Sequence, residues 1–211
     1  MHYKKIAIIG GTGKSGTYLV NRLVEKGFEL NLLVRAPSKY SFNNKAIKVI
    51  EGDVGQLESV RILAEGCQAI ISTLGQPKGE PAIFSQATRN IVKILHEYNL
   101  SRYIVTTGLN VNTPNDKKND RNIDATRWMY ENYPETTQDK QLEYNYLAQT
   151  NIDWTMVRLP LIVQTDQKYP TDVSLENCNG EKISSMDLAD FLIAQLTDKT
   201  FLRKCPFLFN I

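Results

Sequence analysis

The sequence has only two histidines, His2 and His96, and neither has a carboxylate or cysteine partner at a spacing that would build a hydrolytic triad or a metal cluster. No metal is expected. Its cysteines, Cys67, Cys178 and Cys205, are odd in number, far apart and without C-x-x-C spacing, which argues against a disulfide framework and a zinc site and fits a reducing cytosol. An excess of charge of one sign is also missing: 25 Lys plus Arg stand against 23 Asp plus Glu. A net +2 makes no field that would gather nucleic acid or an anionic membrane, so any anionic ligand must be held locally. No run approaches the roughly 18 apolar residues of a membrane span. The four apolar residues Ile6–Ile9 behind Lys4 and Lys5 are too few for a signal peptide. The expectation is a cytoplasmic protein, neither exported nor membrane-embedded.

What is present is alternation. Short β-branched runs at Ile6–Ile9, Glu29–Val34, Ile47–Ile50, Ala69–Thr73, Tyr103–Thr107 and Trp154–Arg158 read as strands, apolar on both faces and so covered on both. Between them Tyr18–Lys26, Leu57–Ala64 and Ala82–Tyr98 carry helical periodicity. Repeated β-α-β predicts an α/β fold of the Rossmann type, a doubly wound parallel sheet, with 211 residues forming one domain. The segment Asn110–Asp124, "NVNTPNDKKNDRNID", is polar and aperiodic; it reads as a surface loop, with solvated Lys117 and Lys118, or as a lid. Helix is expected again over Ala125–Asn132, broken at Pro134 and restarting near Thr136, with Trp128 and Trp154 in the core. Leu159–Glu181 is irregular with room for short strands. Ser184 and Asp187 open a last helix over Leu188–Leu196, and an apolar tail, Phe207–Ile211, forms a small C-terminal elaboration.

"IIGGTGKSG" contains two phosphate signals. A triphosphate loop needs a glycine five residues before Gly13, where Ile8 stands inside a strand. Gly10, Gly13 and Gly16 instead follow a strand and open a helix, the context of dinucleotide binding. Gly10 permits the turn, Gly13 lets backbone approach a pyrophosphate, and Gly16 lets helix pack on sheet, while Thr12, Lys14 and Ser15 flank the anion. The second strand ends in Arg35 where an acid would select the unphosphorylated cofactor, so NADP (NADPH) is favoured, with NAD possible. Lys14 and Lys39 stand ready to assist.

With these residues the chain resembles the atypical short-chain dehydrogenase/reductase family, in the branch of NmrA-like proteins and flavin reductases of the biliverdin reductase B kind. The carriers are "IIGGTGKSG", "LLVRAPSK", "EGDV", "AIISTLG", "ATRNIVKILHEYNLSRYIVTTG", "DWTMVRLP" and "ISSMDLADFLI". The resemblance implies Asp53 and Val54 beside the adenine, unless Asp53 merely caps the next helix. It implies Thr73, Leu74 and Gly75 under ribose and pyrophosphate, Thr107 and Gly108 near the nicotinamide, and Arg158, Leu159 and Pro160 facing its amide.

The chain departs from that family at the catalytic positions. Gly108 stands where the serine is usual, and Thr136 where the tyrosine belongs, leaving Lys140 and Thr107 as the candidate catalytic residues and Tyr133, near Tyr130, as a more distant one. Thr136 also reads as a helix cap, with Asp139 three residues on. The implied function is an NADPH-dependent reductase acting on a flavin- or quinone-like acceptor, as monomer or homodimer. A dinucleotide-binding regulator without turnover and a sugar-nucleotide epimerase or dehydratase are the alternatives.

Overall fold

The apolar runs become six strands: β1 (Lys5–Ile9), β2 (Glu29–Val34), β3 (Ile47–Glu51), β4 (Ala69–Ser72), β5 (Arg102–Gly108) and β6 (Asp153–Leu159). The computed structural model, which describes residues 3–40, 43–76 and 79–211, sets them parallel in the order β3-β2-β1-β4-β5-β6. His2 lies outside the described residues. In the stretch read as irregular, β7 (Leu161–Val163), β8 (Thr171–Ser174) and β9 (Lys182–Ser184) form. The tail becomes β10 (Phe207–Asn210), which extends the sheet beside β6 and carries β8 antiparallel on its outer edge, giving eight strands. β7 and β9 pair separately.

Strand side chains alternate between two cores, which is why the runs are apolar throughout. Ala7, Ile9, Ile70, Tyr103 and Val105 face α2 (Leu57–Ala64), α3 (Phe84–Glu97) and α5 (Pro134–Leu147). Ile6, Ile8, Ile71 and Ile104 face α1 (Gly16–Glu25) and α6 (Ser185–Ala194). Asn31 is the buried polar residue on β2, and its Nδ2 donates to Leu63 O at 2.8 Å, tying the end of α2 to the sheet. Ser184 caps α6 through its hydroxyl, which accepts from Asp187 N at 3.0 Å, as the capping pattern predicts.

The structure corrects several local expectations. The helix α4 (Asp120–Asn132) begins inside the expected loop, capped by the Asn119 side chain accepting from Asn122 N. Its buried residues are Asn122 and Thr126, so Trp128 lies on an outer face, 53% exposed, rather than in the core; Trp154 is buried. The helix is interrupted at Tyr133 as expected, but the new one, α5, starts at Pro134 itself, where the missing N–H has no partner to lose, so Thr136 sits within its first turn rather than at a cap. Asp139 is turned to Ser85 on α3.

Residues 110–119 form a loop anchored at some positions, while Asn112, Pro114, Asn115, Lys117 and Asn119 stay exposed. Arg158, fully buried on β6, donates through Nη1 to Asp116 Oδ1 at 2.6 Å and to Val111 O at 3.2 Å, through Nε to Cys205 O at 2.9 Å and through Nη2 to Leu175 O at 3.1 Å. Its guanidinium also lies 3.5 Å from the centre of the Phe207 ring. Lys117 is exposed and pairs with Glu176, but Lys118 is almost wholly buried and donates to Asn112 Oδ1 at 2.7 Å. Burial holds the Lys118 ammonium down to about 8, against the opposing pull of Asp116. The spacing of charged letters in this segment gave no sign that an arginine over 40 residues away would gather it.

Candidate functional site

β1 ends at Gly10, whose positive φ of 75° turns the chain sharply toward α1. A Cβ there would lie 2.6 Å from the Thr73 backbone, so the turn also sits directly against the end of β4. Gly13 N closes the turn by donating to Gly10 O at 3.0 Å. Gly16 opens α1 and is buried; its Cβ would fall 2.1 Å from Gly10 O. Gly11, which the sequence pattern passes over, is packed against Leu32 and Val20 and has no room for a side chain either.

At this turn the chain leaves β1 for β2 on one side while β4 lies on the other, the topological switch point where open α/β sheets hold ligands. A cavity of about 810 Å³ opens there, outside the carboxyl ends of the strands. It is lined by Gly10, Thr12, Gly13, Lys14, Ser15, Arg35, Asp53, Val54, Thr73, Leu74, Gly75, Thr107, Lys140, Leu159 and Pro160. Of the candidate site residues named from the sequence, Gly16, Tyr133, Lys39 and Arg158 are not in the lining; the Arg158 side chain, expected to face the nicotinamide amide, is turned instead to Asp116 and the carbonyls around it. Gly16 stands behind the wall, where its role is packing. Tyr133 is not brought to the cavity: it is the joint between α4 and α5, half exposed, with its ring edge-on to Trp128 at 5.7 Å.

The residues present fit a dinucleotide. Ser15, at the N-cap of α1, makes no side-chain cap bond, and no acid stands in the first turn, so the positive end of the helix is left to whatever fills the cavity. At the other end Thr107 Oγ1 is buried without a partner among the described residues. Asp53 does not cap α2, whose N-cap is Gln56; its Oδ1 accepts from Gly55 N at 2.7 Å within its own turn.

Several lining residues carry no sequence signal. Gln76, Glu80, Pro81 and Ile83 come from the β4–α3 connection, and Glu80 forms an ion pair with Arg35 across the rim. That pairing means Arg35, about half exposed, already has a counter-charge where a 2′-phosphate was expected. Gly108 lines the cavity, and a Cβ on it would meet Asn110 Oδ1 at 2.2 Å. The space a serine would need is therefore filled by the buried Asn110 amide.

Lys140 reaches the cavity from α5, its Nζ 4.8 Å from the centre of the Phe84 ring. One turn on, Glu143 is buried on the inner side of the same helix. Burial is the main cause that lowers Lys140 and that pushes the Glu143 carboxyl up to about 8, each opposed by the other's charge. The unfolded chain releases that Glu143 proton near 4.5 while the folded protein keeps it to about 8, so this group favours the native state most at low pH. Its contribution falls by about 1.4 kcal/mol per pH unit through that window. Glu143→Gln is expected to flatten the decline, measured as denaturant midpoints between the two limits; parallel pH profiles for both proteins would refute the burial argument.

Comparison with known proteins follows the same lines. The family model described as NAD(P)H-binding matches residues 10–199. An uncharacterised protein of Bacillus subtilis, YwnB, is 28% identical over 201 residues, covering 92% of this chain and 91% of its own. A short-chain dehydrogenase/reductase of Veillonella parvula, solved in complex with NADP, superposes with a TM-score of 0.81 at 18% identity over 99% of this chain and 95% of that one. The anaerobillin reductase ChuY of Escherichia coli gives a TM-score of 0.81 at 16% identity over 98% and 97%. The glycine turn at the switch point, the cavity beyond it and a family match spanning both establish that the chain belongs to the NAD(P)H-binding family.

Proposed function

We propose that the protein is a reductase, NADPH-preferring and cytoplasmic, that delivers hydride to a flat conjugated acceptor of the flavin or quinone kind. The observation that carries this reading is the composition of the cavity's two ends. One end joins the α1 N-terminus with Lys14 and Arg35, which suits phosphates; the other joins Leu159, Pro160 and Ile162 with the Lys140 ammonium, which suits an apolar ring. A bound nicotinamide would supply the hydride. Thr73, Leu74 and Gly75 would pass beneath its ribose and pyrophosphate, and Asp53 and Val54 would flank the adenine.

Among the described residues Tyr40 is the tyrosine in the lining, beside Arg35 and away from Lys140, and Asn110 closes the serine position, so proton delivery falls to Lys140, with Thr107 Oγ1 orienting the ring opposite. An acceptor whose reduced form takes its proton readily suits such a site better than a secondary alcohol. A lid forms part of the same proposal. It is limited to residues 110–119, because Asp120 already begins α4, and its movement must break the Arg158–Asp116 pair. The lack of a hydroxyl acid equally favours a regulator that binds dinucleotide without turnover.

The deciding assay follows NADPH oxidation with FMN, riboflavin and a simple quinone beside a calorimetric binding titration. Turnover of one of them is expected; tight binding with no turnover of any would replace the reductase by the regulator. Cofactor preference is tested in the same titration. Arg35→Ala is expected to weaken NADPH about tenfold or more and leave NADH unchanged. Glu80→Gln, which removes a carboxylate beside the incoming 2′-phosphate, is expected to strengthen NADPH binding about three- to tenfold. If Arg35→Ala affects both cofactors alike, the assignment of Arg35 is wrong.

A further inference from the structure

Glu143 is 2% exposed, and its surroundings use only half of it. Its Oε1 accepts from Thr88 Oγ1 on α3 at 2.6 Å, and Thr88 Oγ1 lies 3.1 Å from the Tyr103 hydroxyl on β5. Its Oε2 is buried with no partner among the described residues. Holding Thr88 and Tyr103 needs one acceptor oxygen, which a glutamine or a carbonyl would provide; a second, unserved carboxyl oxygen in the interior is costly and has no packing purpose. The ionisable groups that bear on it are Lys140 and Asp139 on its own helix, Tyr103 on β5 and Cys205 before β10. Lys140 is the one of them that lines the cavity.

We propose that Glu143 is the proton store of this site, supplying Lys140 through Oε2 and so standing in for the missing tyrosine. The proposal rests on the reductase reading above. Lys140 Nζ rests over the Phe84 ring, and in this proposal its flexible stem carries the ammonium between the cavity and Oε2. When the acceptor has taken up hydride, an N–H bond of Lys140 breaks and its proton forms the O–H or N–H bond of the reduced acceptor, leaving a neutral amine. The amine lone pair then takes the proton from the Glu143 carboxyl, which becomes a carboxylate. Water entering as product leaves returns one proton to Lys140 and through it to Glu143, so each cycle consumes one solvent proton and the cofactor's hydride. Glu143 touches neither substrate nor cofactor; it is a positioning residue that acts through Lys140. Burial, which pushes its carboxyl up to about 8, keeps the store filled at neutral pH.

The test titrates the whole protein, without cofactor, by carbon-detected NMR of glutamate carboxyls and nitrogen-detected NMR of lysine ammonium groups. One carboxyl is expected to titrate near 8, to vanish in Glu143→Gln and to move higher in Lys140→Met, while Lys140 titrates lower in Glu143→Gln. With the acceptor that turns over, Glu143→Gln is expected to lower kcat about 10- to 100-fold and to erase the fall in kcat near pH 8, with NADPH affinity within about twofold. Because glutamine can still accept from Thr88, the variant keeps the structural bond and a purely structural role would leave the pH profile in place. A Glu143 carboxyl titrating in the ordinary range, or Lys140 indifferent to its replacement, overturns the proposal. An enzyme that turns over while Glu143→Gln keeps the wild-type pH profile overturns the proton store alone; the coupled titration in a protein that reduces no acceptor overturns the reductase reading and the store's role with it.

Discussion

Arg158→Met is expected to cost the folded state about 3–5 kcal/mol, the range for breaking a buried charge pair from one side. The guanidinium is fully buried and satisfies Asp116 and the carbonyls of Val111, Leu175 and Cys205 at once. Methionine fills part of the volume and can keep contact with Phe207, but it takes the guanidinium donor from Leu175 O and Cys205 O and leaves Asp116 to Thr113 and Lys118, and Val111 O to Lys118 alone. For a chain of this size the loss corresponds to a fall of roughly 10 °C in Tm. Arg158→Lys is not expected to rescue it, because one ammonium cannot reach four acceptors set around a planar fork. Arg158→Met combined with Asp116→Asn should recover part of the deficit, since the second change removes a charge left only to Lys118. Denaturant unfolding of the two single variants and the double variant measures the coupling. A loss below about 1 kcal/mol for Arg158→Met would show that residues 110–119 are held by other contacts.

Gly16→Ala is expected to weaken dinucleotide binding about 100-fold or more, by moving the wall of the cavity rather than by touching the ligand. The added methyl would meet Gly10 O at 2.1 Å and Gly11 Cα at 2.7 Å, and both obstacles are backbone, so α1 must withdraw from the turn that it packs on. That displacement carries the first-turn N–H groups away from the phosphate position. Gly13→Ala makes a useful contrast. Its methyl would stand 3.2 Å from Gly10 O, a contact that small shifts absorb, but it would project at the cavity wall. Stability is therefore expected to fall mainly in Gly16→Ala, while affinity falls in both. Gly75→Ala, whose methyl meets nothing within 4 Å, tests whether the cavity tolerates a methyl elsewhere on its rim. Calorimetric titration with NADPH beside thermal unfolding of the three proteins separates the effects. Equal affinity in wild type and Gly16→Ala would remove the glycine turn from the binding site.

The parallel sheet was legible because its signal is local: a strand buried on both faces must be apolar at every position, and six such runs separated by helical periods admit few arrangements. The glycine turn was legible for a similar reason, since Gly16 answers a steric demand made by Gly10 and Gly11, and Gly10 the positive φ of its own turn, although its approach to Thr73 is a demand of the sheet. Capping at Ser184 belongs to the same class. The buried anchors within residues 110–119 were not legible because polar composition suits water and buried ion pairs equally, and the partner that decides between them at Asp116, Arg158, comes from β6. Trp128 was misplaced because a large apolar side chain does not announce whether its helix has a neighbour on that side.

By itself, then, the sequence determined the order of strands and helices and the turn at the switch point, which follow from period, chirality and the absence of a Cβ; most residues around the cavity were named only through the family resemblance. Tertiary structure alone decided the charges inside that frame. It gave Arg35 a rival partner in Glu80, put the Asn110 amide in the place of a serine, and buried Glu143 one turn behind Lys140. The physical reason is that steric and periodic rules act between near neighbours in sequence, whereas ion pairing and desolvation depend on which distant segments the fold brings within a few ångströms.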